Sequence, residues 1–270
     1  MPPSIPRVNI YLVDAGTELC RSWRAHLKSF DMSMITMGLP QDVQVSSHPG
    51  MSITSLKPYE NPKSSVTAVV SPGNSLGLMN GGLDKVLRDA FSPNHAEKIV
   101  GQQIPHGYSP PGSARIVQFD KETRAKVMWD AEYLIHMPTM RSPRRVHESD
   151  LESLRMVYDW TWSILSEVEK HNSTADIGER PKIGSVILSG LATGYGKIPY
   201  DVAGKAMIAA IAIFYNDRLT DRQRSFLTLK FLKEDTTWIG PVDVPEELKK
   251  LSYDPLVNSL PELFFFLYNS

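Results

Sequence analysis

The fold is decided by residues 66–84, whose sequence is VTAVVSPGNSLGLMNGGLD. Residues 66–70 are short, rich in β-branched side chains and bounded by turn-forming residues, which predicts a strand buried on both faces. Helical periodicity begins at Leu83, so a loop containing Gly73, Gly77, Gly81 and Gly82 connects this strand to a helix. We call residues 71–82 the first glycine loop.

The first glycine loop has the properties of an anion site. Glycines let the backbone adopt left-handed angles and leave no Cβ in the way of a ligand. The loop ends at a helix N-terminus, where unpaired N–H groups and the helix dipole favour a phosphate or a diphosphate. A single glycine-rich turn is nevertheless more often a tight, packed turn. A second such loop at the same edge of the sheet would favour the anion site.

A second strand–glycine–helix unit does follow. Residues 182–189 predict a buried strand, residues 190–196 read GLATGYG, and residues 202–215 predict an apolar helix. We call residues 189–199 the second glycine loop. Alternating strands and helices favour a sheet covered on both faces, with ligands bound beyond the carboxyl ends of its strands. If the two strands are neighbours, both loops flank one groove lined by backbone amides.

The rest of the 270 residues predicts one domain, with a core over about residues 7–215 and a C-terminal extension, about residues 216–270, that packs on it. The helix after the first glycine loop is expected to bury Leu83, Val86, Leu87 and Ala90, and the run Leu263–Leu267 is expected to dock on the core. Further strands are predicted at residues 7–13, 43–46, 113–119 and 132–138, a turn at 121–130, a loop at 105–112, and further helices at 17–30, 95–103, 149–171 and 222–232.

Composition excludes several classes of protein. Lys and Arg total 29 against 30 for Asp and Glu, so general nucleic-acid binding is not expected. A single cysteine, Cys20, excludes a disulfide framework and a Cys-rich zinc site, and is expected to lie in the core. The N-terminus lacks a signal pattern and no apolar run is long enough to span a bilayer, which predicts a soluble cytoplasmic or nuclear protein without membrane contact.

Other nucleotide-binding and hydrolase motifs do not fit. The glycine spacing over residues 77–82 is not the dinucleotide-binding Gly-x-Gly-x-x-Gly, and no Gly-Lys-Ser/Thr closes a phosphate loop. Ser71 and Ser189 lack the context of a nucleophile elbow. A Rossmann oxidoreductase or a nucleoside triphosphatase is therefore not predicted.

The two loops resemble those of the macrodomains, a family that binds ADP-ribose and includes hydrolases of ADP-ribose derivatives. Residues 69–74 (VVSPGN) and 81–84 (GGLD) resemble the family's Asn-Ala-Ala-Asn to Gly-Gly-Val-Asp loop, and are closer still to a fungal and phage branch with Ser-Pro-Ala/Gly-Asn. The similarity extends over about residues 7–215, and includes residues 111–114, 134–138 and 190–196. Only the two loops are specific.

The resemblance implies a three-layer α/β/α sandwich on a central mixed sheet of about six strands, without a metal or a cofactor. It implies Asn74 near the distal ribose and Asp84 near the reaction centre as catalytic residues. An amide can pair with sugar hydroxyls, and a carboxylate can position or deprotonate water. The implied ligand-binding residues are Val70, Ser71, Pro72, Gly73, Asn74, Gly81, Gly82, Leu83, Gly190, Leu191, Ala192, Thr193, Gly194, Tyr195 and Gly196.

Without the resemblance, simpler roles are open. Asp84 is then a stabilising acid in the first helical turn, and Asn74 a turn residue with a left-handed backbone. His136 is expected to be a core histidine with its hydrogen bonds satisfied. Tyr195 either covers the distal ribose or packs on the loop.

The chain also departs from the family pattern. Ser71 stands where many catalytic members have an asparagine, which alters the hydrogen bonds around the distal ribose. Met51 replaces the aspartate that accepts from the adenine amine, so either Asp14 substitutes for it from another direction or adenine selectivity is weak.

Three functions follow as hypotheses. The first is a hydrolase that acts on ADP-ribose 1''-phosphate or on an ADP-ribosyl linkage. The second is a module that binds ADP-ribose without cleaving it. The third is an interaction scaffold that uses the Leu263–Leu267 run.

Overall fold

A computed structural model describes residues 8–32, 45–49, 53, 65–91, 95–119, 131–175, 180–239 and 244–268. Its strands are β1 (Asn9–Asp14), β2 (Val45–Pro49), β3 (Ser65–Ser71), β4 (Arg115–Gln118), β5 (Ala131–His136) and β6 (Lys182–Leu188). Its helices are α1 (Thr17–Met32), α2 (Gly82–Phe91), α3 (Ala96–Gln103), α4 (Asp150–Thr174), α5 (Tyr200–Tyr215), α6 (Asp221–Phe231), α7 (Glu246–Lys250) and α8 (Leu260–Leu263). Short 3₁₀ turns are present at Pro105–Gly107, after α3, and at Phe265–Tyr268, after α8.

The strands form one six-stranded sheet in the order β2-β1-β6-β3-β5-β4. Strand β4 is antiparallel to β5, and the other pairings of the described strands are parallel. The predicted mixed sheet is thus confirmed. Strands β3 and β6 are direct neighbours, with Val69 opposite Ile187. The carboxyl ends of both strands therefore meet at one edge, as the anion-site interpretation requires.

Helices cover both faces of the sheet. On one face, α1, α4 and α5 enclose a core that includes Trp23, Val70 and Ile208. On the other face, α2 and α3 pack through Phe91 and Val100. Successive strand residues point to opposite faces, so Val69 belongs to the second core and Val70 to the first. These three layers are the predicted α/β/α sandwich.

The longest helices begin as the sequence suggests. The Ser149 hydroxyl caps α4 by accepting from the Glu152 amide at 3.2 Å, and the helix continues past the predicted end to Thr174. Helix α5 is buried from Val202 to Ile213, which explains its almost unbroken apolar sequence.

The prediction for the inner face of α2 was partly wrong. Leu87 is buried as expected, but Val86 is 40% exposed, and Asp84 and Phe91 complete the buried face. The helix is rotated so that a carboxylate takes an inward position that periodicity assigns to apolar residues. That rotation directs Asp84 toward the first glycine loop.

Other predicted bounds shift by a few residues. Strand β4 covers only part of the predicted 113–119, and β1 ends at Asp14 rather than residue 13. Residues 105–112 contain a 3₁₀ turn with His106 at φ 55° inside the predicted loop. Cys20 is fully buried, as predicted. The predicted turn at 121–130 and residues 7, 43, 44 and 51 lie outside the described residues.

The C-terminal segment contacts the core through aromatic side chains. The Phe264 ring meets Phe30 of α1 edge-on with centroids 5.6 Å apart, and Phe266 is also buried. Lys205 of α5 donates to the Asn258 carbonyl at 2.5 Å. The predicted docking of the Leu263–Leu267 run is confirmed except at Phe265, which is 52% exposed. The division into a core and an extension stays a prediction.

A side chain closes part of the open edge of the sheet. The Gln103 amide donates to the Gln118 carbonyl at 3.0 Å and accepts from the Gln118 amide at 3.2 Å, which imitates a neighbouring strand. One residue before β4, the Ala114 amide donates to the Ser163 hydroxyl at 3.1 Å. Unpaired edge groups invite pairing with other chains, so these contacts protect β4.

We expect Gln103→Ala to lower the free energy of unfolding by about 1 kcal/mol, because Gln118 then pairs with water instead of an ordered amide. Denaturant titration measures the effect, and light scattering on heating should show earlier aggregation. Gln102→Ala is the matched control, since Gln102 is an exposed residue of the same helix. Equal stability of both variants would show that the contact is dispensable.

No helix among the described residues combines the length and apolar character needed to cross a bilayer.

Candidate functional site

One cleft of about 240 Å³ lies between the two glycine loops, at the carboxyl ends of β3 and β6. The loops thus face the same space rather than unrelated surfaces. The lining comprises Asp14, Pro72, Gly73, Asn74, Leu78, Asn80, Gly81, Gly82, Leu83, Asp84, Met140, Pro143, Ser189, Gly190, Ala192, Thr193, Gly194, Tyr195 and Tyr200.

Asn74 shapes the first glycine loop. Its side-chain oxygen accepts from the amides of Leu76 and Leu78 at 3.0 and 3.3 Å, and its amide group donates to the Leu78 carbonyl at 2.7 Å. The prediction of a left-handed backbone at Asn74 is wrong. The positive φ angles of this loop are at Gly77 (69°) and Gly82 (56°). Asn74 therefore holds the loop open around the cleft and keeps one amide hydrogen unused by these contacts.

Asp84 lies at the base of the first glycine loop, in the first turn of α2. The Ser71 hydroxyl donates a short hydrogen bond to its Oδ1, and Oδ2 has no donor among the described residues. Burial raises the pKa of Asp84 to about 6, and the hydrogen bond from Ser71 acts in the opposite direction. Asp84 is therefore mostly ionised at neutral pH, with one carboxylate oxygen oriented by Ser71 and the other available.

Gly73 separates Asp84 from His136 of β5. A Cβ atom at Gly73 would lie 2.8 Å from Asp84 Oδ2, closer than real Cβ contacts, and 3.0 Å from His136 Cε1, tighter than most of them. Any larger residue therefore requires one of these two side chains to shift. This steric requirement is independent of backbone angle, because no left-handed φ is found at Gly73.

His136 is buried as predicted, but its hydrogen bonds are not all satisfied. Its Nε2 atom has no partner within the described part of the chain. Burial lowers the pKa of His136 to about 4; a hydrogen bond with the Asn74 backbone opposes this shift and the charge of Arg115 adds to it. The imidazole is therefore neutral at physiological pH and does not neutralise Asp84.

The second glycine loop is a compact turn packed against α1. A Cβ atom at Gly190 would overlap the Leu19 side chain, and Ala192 adopts a left-handed φ of 56°. The Ile198 amide donates to the Ala192 carbonyl at 3.2 Å, which closes the turn. The loop is thus held in one shape without side chains filling the cleft.

Tyr195 lies across the cleft from the second glycine loop to the first. A Cβ atom placed at Gly81 would be 3.4 Å from the Tyr195 hydroxyl oxygen, and one placed at Gly82 would be 3.6 Å from the Tyr195 ring, both ordinary van der Waals contacts. The residue remains 59% exposed. In this structure Tyr195 packs on the first loop, which is one of the two roles that its sequence left open.

Asp14 contributes a second carboxylate at the β1 end of the cleft. Its Oδ1 accepts from the Gly16 amide at 2.7 Å, and its Oδ2 accepts from the Ser189 hydroxyl at 3.1 Å. Both oxygens therefore already have a donor. Residue 51, where the family aspartate is missing, lies outside the described residues.

Four of the predicted ligand-binding residues do not line the cleft. Val70 and Leu191 are fully buried in the core and Ser71 points to Asp84. Gly196 belongs to the second loop but not to the lining, and its carbonyl accepts from the Val146 and His147 amides. The remaining predicted residues are brought together around the cleft. Their role in binding stays a prediction.

The cleft also contains residues that the motifs did not indicate. Met140 reaches it because its backbone is bridged to Asn74 and its carbonyl accepts from the Ser75 amide at 2.9 Å. Pro143 and Tyr200 complete the wall. No local signal marks Met140 or Pro143, since they come close through a tertiary contact, whereas Tyr200 starts the predicted helix after the second loop.

The charge of the lining restricts the chemistry. Asp14 and Asp84 are the only carboxylic acids among the described lining residues, which include no Lys, Arg or His. The same described residues contain no group of three metal-ligating side chains. A bound anion would therefore be held by backbone amides, and Asp84 is the group with an oxygen available to act on a proton.

Comparison with known proteins adds a family and several similar structures. The model of the family described as "Macro-like domain" matches residues 4–237. A protein of Aquifex aeolicus (strain VF5), described as uncharacterized, is 27% identical over 146 residues, which cover 54% of this chain and 73% of that protein.

The similar solved structures are macrodomains. That of Mycobacterium tuberculosis DarG is 14% identical with a TM-score of 0.40, over 59% of this chain and 90% of that one. The Oceanobacillus iheyensis macrodomain with ADP is 16% identical with a TM-score of 0.41, over 56% of this chain and 70% of that one. At these TM-scores, the assignment depends on the family model. Because that model spans most of the sequence, the chain belongs to the Macro-like domain family.

Proposed function

We propose that the chain binds ADP-ribose, or a close derivative, in the cleft between the glycine loops and hydrolyses a bond at the distal ribose. The observation that carries this proposal is the neighbouring position of β3 and β6, which directs both glycine loops to one cleft with Asp84 at its base. The affiliation with the fungal and phage branch is part of the proposal, and it depends on the sequence of residues 71–74.

In this proposal the diphosphate is bound by amides of both loops. The described lining residues offer backbone amides and no cationic side chain, and the N-terminus of α2 at Gly82 adds its dipole. The unused amide hydrogen of Asn74 can donate to a hydroxyl of the distal ribose. Tyr195, already placed across Gly81 and Gly82, covers the ribose from the solvent side.

Asp84 acts on water in the proposed reaction. Its Oδ2, beside Gly73, accepts a proton from water as the water oxygen bonds to the phosphorus of the 1''-phosphate or to C1'' of an ADP-ribosyl linkage, while Ser71 holds Oδ1. The bond from that atom to the leaving oxygen breaks at the same time, and the leaving oxygen takes a proton from solvent. A pKa of about 6 leaves the carboxylate ionised at neutral pH and still basic enough to accept that proton. The neutral His136 lies on the other side of Gly73 and supplies no compensating charge.

Two assays test the proposal. Calorimetric titration with ADP-ribose should give micromolar binding at one site. Incubation with ADP-ribose 1''-phosphate and, separately, with mono-ADP-ribosylated protein should release product from at least one substrate. Absence of ADP-ribose binding would contradict the whole proposal. Binding without product release would support ADP-ribose binding and contradict hydrolysis.

A non-catalytic ADP-ribose module is the second candidate. Ser71 favours it, because its hydroxyl takes the place of an amide at the distal ribose and is occupied by Asp84. The scaffold hypothesis is weaker than the sequence suggested, since Leu263, Phe264 and Phe266 are buried and only Phe265 of those phenylalanines is exposed.

The hydrogen bond from Ser71 gives a prediction about pH. Its removal in Ser71→Ala should raise the pKa of Asp84 further, because that bond favours the ionised form. If Asp84 is the general base, the rate increases with pH as it ionises, so the midpoint of the pH–rate profile should move from about 6 to a higher pH. Ser225→Ala, a remote exposed serine of α6, should leave the midpoint unchanged. An unshifted midpoint in Ser71→Ala would assign the profile to another group.

A further inference from the structure

A segment rich in arginine borders the cleft, and its arginines are not among the residues that line it. Residues 140–147, which we call the basic rim, carry Arg141, Arg144 and Arg145, and all three side chains are exposed. From the sequence alone this run resembles an ordinary solvated loop. Its position in the structure gives it a more specific meaning.

The basic rim is attached to both glycine loops. At one end the Met140 carbonyl accepts from the Ser75 amide at 2.9 Å. At the other end the amides of Val146 and His147 donate to the Gly196 carbonyl at 3.0 and 3.1 Å. Met140 and Pro143 line the cleft. The segment that carries the arginines is therefore fixed to the two loops proposed to bind the diphosphate, and Arg141 and Arg144 each directly follow a residue that lines the cleft.

The arginines of the basic rim form no ion pair with a described residue. Arg145 Nε donates to the His147 carbonyl at 3.2 Å, but Arg141 and Arg144 have no side-chain partner among the described residues. Lys197, exposed in the second glycine loop next to Gly196, adds another cation. The nearby acids are Glu148 and Asp150, and Asp150 lies 3.8 Å from His147 Nε2.

The positive and negative side chains of this region occupy different places. The cleft contains the carboxylates of Asp14 and Asp84 and no cation among its described lining residues, whereas the arginines lie outside it. A ligand that ended at the diphosphate would place its charge inside, against backbone amides. Arginines beside the cleft instead favour a larger ligand whose part outside the cleft is negatively charged.

Exposed apolar side chains near the first glycine loop favour a polypeptide as that outer part. Leu76 is 48% exposed and Leu78 41% exposed. Tyr108 is 45% exposed, and the next residue, Ser109, donates its amide to the Ser75 carbonyl at 2.8 Å. Aliphatic side chains pack against other side chains and do not read a phosphate backbone, so a nucleic acid suits this surface less well.

We propose that the basic rim recognises an acidic polypeptide segment to which the ADP-ribose is attached. The substrate class is then an ADP-ribosylated protein whose modified site is flanked by Asp or Glu. This inference rests on the proposed function, since it assumes that ADP-ribose occupies the cleft. Exposed charge pairs increase association rates and select between partners more than they increase affinity for the bound group.

The test compares two peptides that carry ADP-ribose through the same hydrolysis-resistant linkage. One has Asp and Glu around the modified residue, and the other has Asn and Gln at the same positions. The protein variant is Arg141→Gln with Arg144→Gln, and the control is Arg21→Gln with Arg222→Gln, which removes the same charge from exposed sites on α1 and α6. Calorimetry at low and high ionic strength measures each affinity, with free ADP-ribose as the reference ligand.

At low ionic strength, wild-type protein should bind the acidic peptide about three- to tenfold more tightly than the neutral one, because a few exposed charge pairs contribute that much. High salt should reduce this difference in affinity. The rim variant should lose that preference while binding free ADP-ribose normally, and the control should behave as wild type. Equal affinity of wild type for both peptides would overturn the inference.

Two further results also decide against it. If the rim variant loses affinity for free ADP-ribose to the same extent, the arginines serve the diphosphate and read no peptide. If an RNA end carrying ADP-ribose binds more tightly than the acidic peptide, the partner is a nucleic acid. Failure of the wild type to bind free ADP-ribose would be a failure of the proposed function itself.

Discussion

Asp84→Asn is expected to abolish turnover and at the same time to stabilise the protein at neutral pH. The loss of a general base lowers the rate by roughly 10²- to 10⁴-fold. Burial holds the pKa of Asp84 at about 6 against an ordinary value of 3.8, so the folded protein binds this proton more tightly than the unfolded chain does. Stability is therefore lost as the pH rises from about 4 to about 6.

The size of the stability change follows from that shift. Each pKa unit corresponds to about 1.4 kcal/mol, so ionised Asp84 costs up to about 3 kcal/mol above pH 6. Asparagine has no charge to desolvate, and its side-chain oxygen can still accept from Ser71. Thermal unfolding should give a higher midpoint for Asp84→Asn at pH 7.5 and equal midpoints near pH 4.

A matched control for Asp84→Asn is Asp89→Asn, an exposed residue of the same helix. It should change neither turnover nor the pH dependence of stability to a comparable extent. Full activity in Asp84→Asn would remove Asp84 from the reaction. Destabilisation at pH 7.5 would mean that its charge is compensated by a group other than Ser71.

Gly73→Ala is expected to prevent productive binding. The added methyl group would lie 2.8 Å from Asp84 Oδ2 and 3.0 Å from His136 Cε1, so one of these buried side chains must move. Overpacking of this kind costs about 1–3 kcal/mol of stability. Because Gly73 lines the cleft and adjoins the carboxylate, we also expect ADP-ribose affinity to fall by at least about tenfold, which corresponds to 1.4 kcal/mol.

Calorimetry with ADP-ribose and thermal unfolding measure the two effects of Gly73→Ala. Gly101→Ala serves as the control, because a Cβ atom there has open space in α3 and alanine favours a helix. That variant should bind normally and be slightly more stable. If Gly73→Ala binds as tightly as the wild type, the gap between Asp84 and His136 has no part in the site.

The sequence predicted the fold well where local chemistry decides it. Strand β3 and the glycines after it determine a strand, a loop and a helix within a few residues, and the second loop repeats this pattern. The bounds of β4 and the burial of Val86 were less accurate. Both depend on tertiary packing: the length of β4 is set by its antiparallel pairing with β5 over Arg115–Gln118, and α2 turns Asp84 inward.

The part of the candidate site that is formed by backbone amides could be predicted from the sequence. Glycines mark where amides are free, and parallel neighbouring strands bring both loops together. Sequence spacing does not reveal side-chain orientation. Ser71 points to Asp84 rather than into the cleft, His136 has a nitrogen without a partner in the described part of the chain, and Met140 enters the site from a segment with no motif.

We propose that both glycine loops hold the same diphosphate. An amide NMR titration of the wild-type protein with ADP-ribose, with the loop glycines assigned, tests this proposal. The amides of Gly82 in the first loop and Gly194 in the second should shift together, with one common micromolar dissociation constant. Shifts confined to one loop, or no shifts at millimolar ADP-ribose, would contradict it.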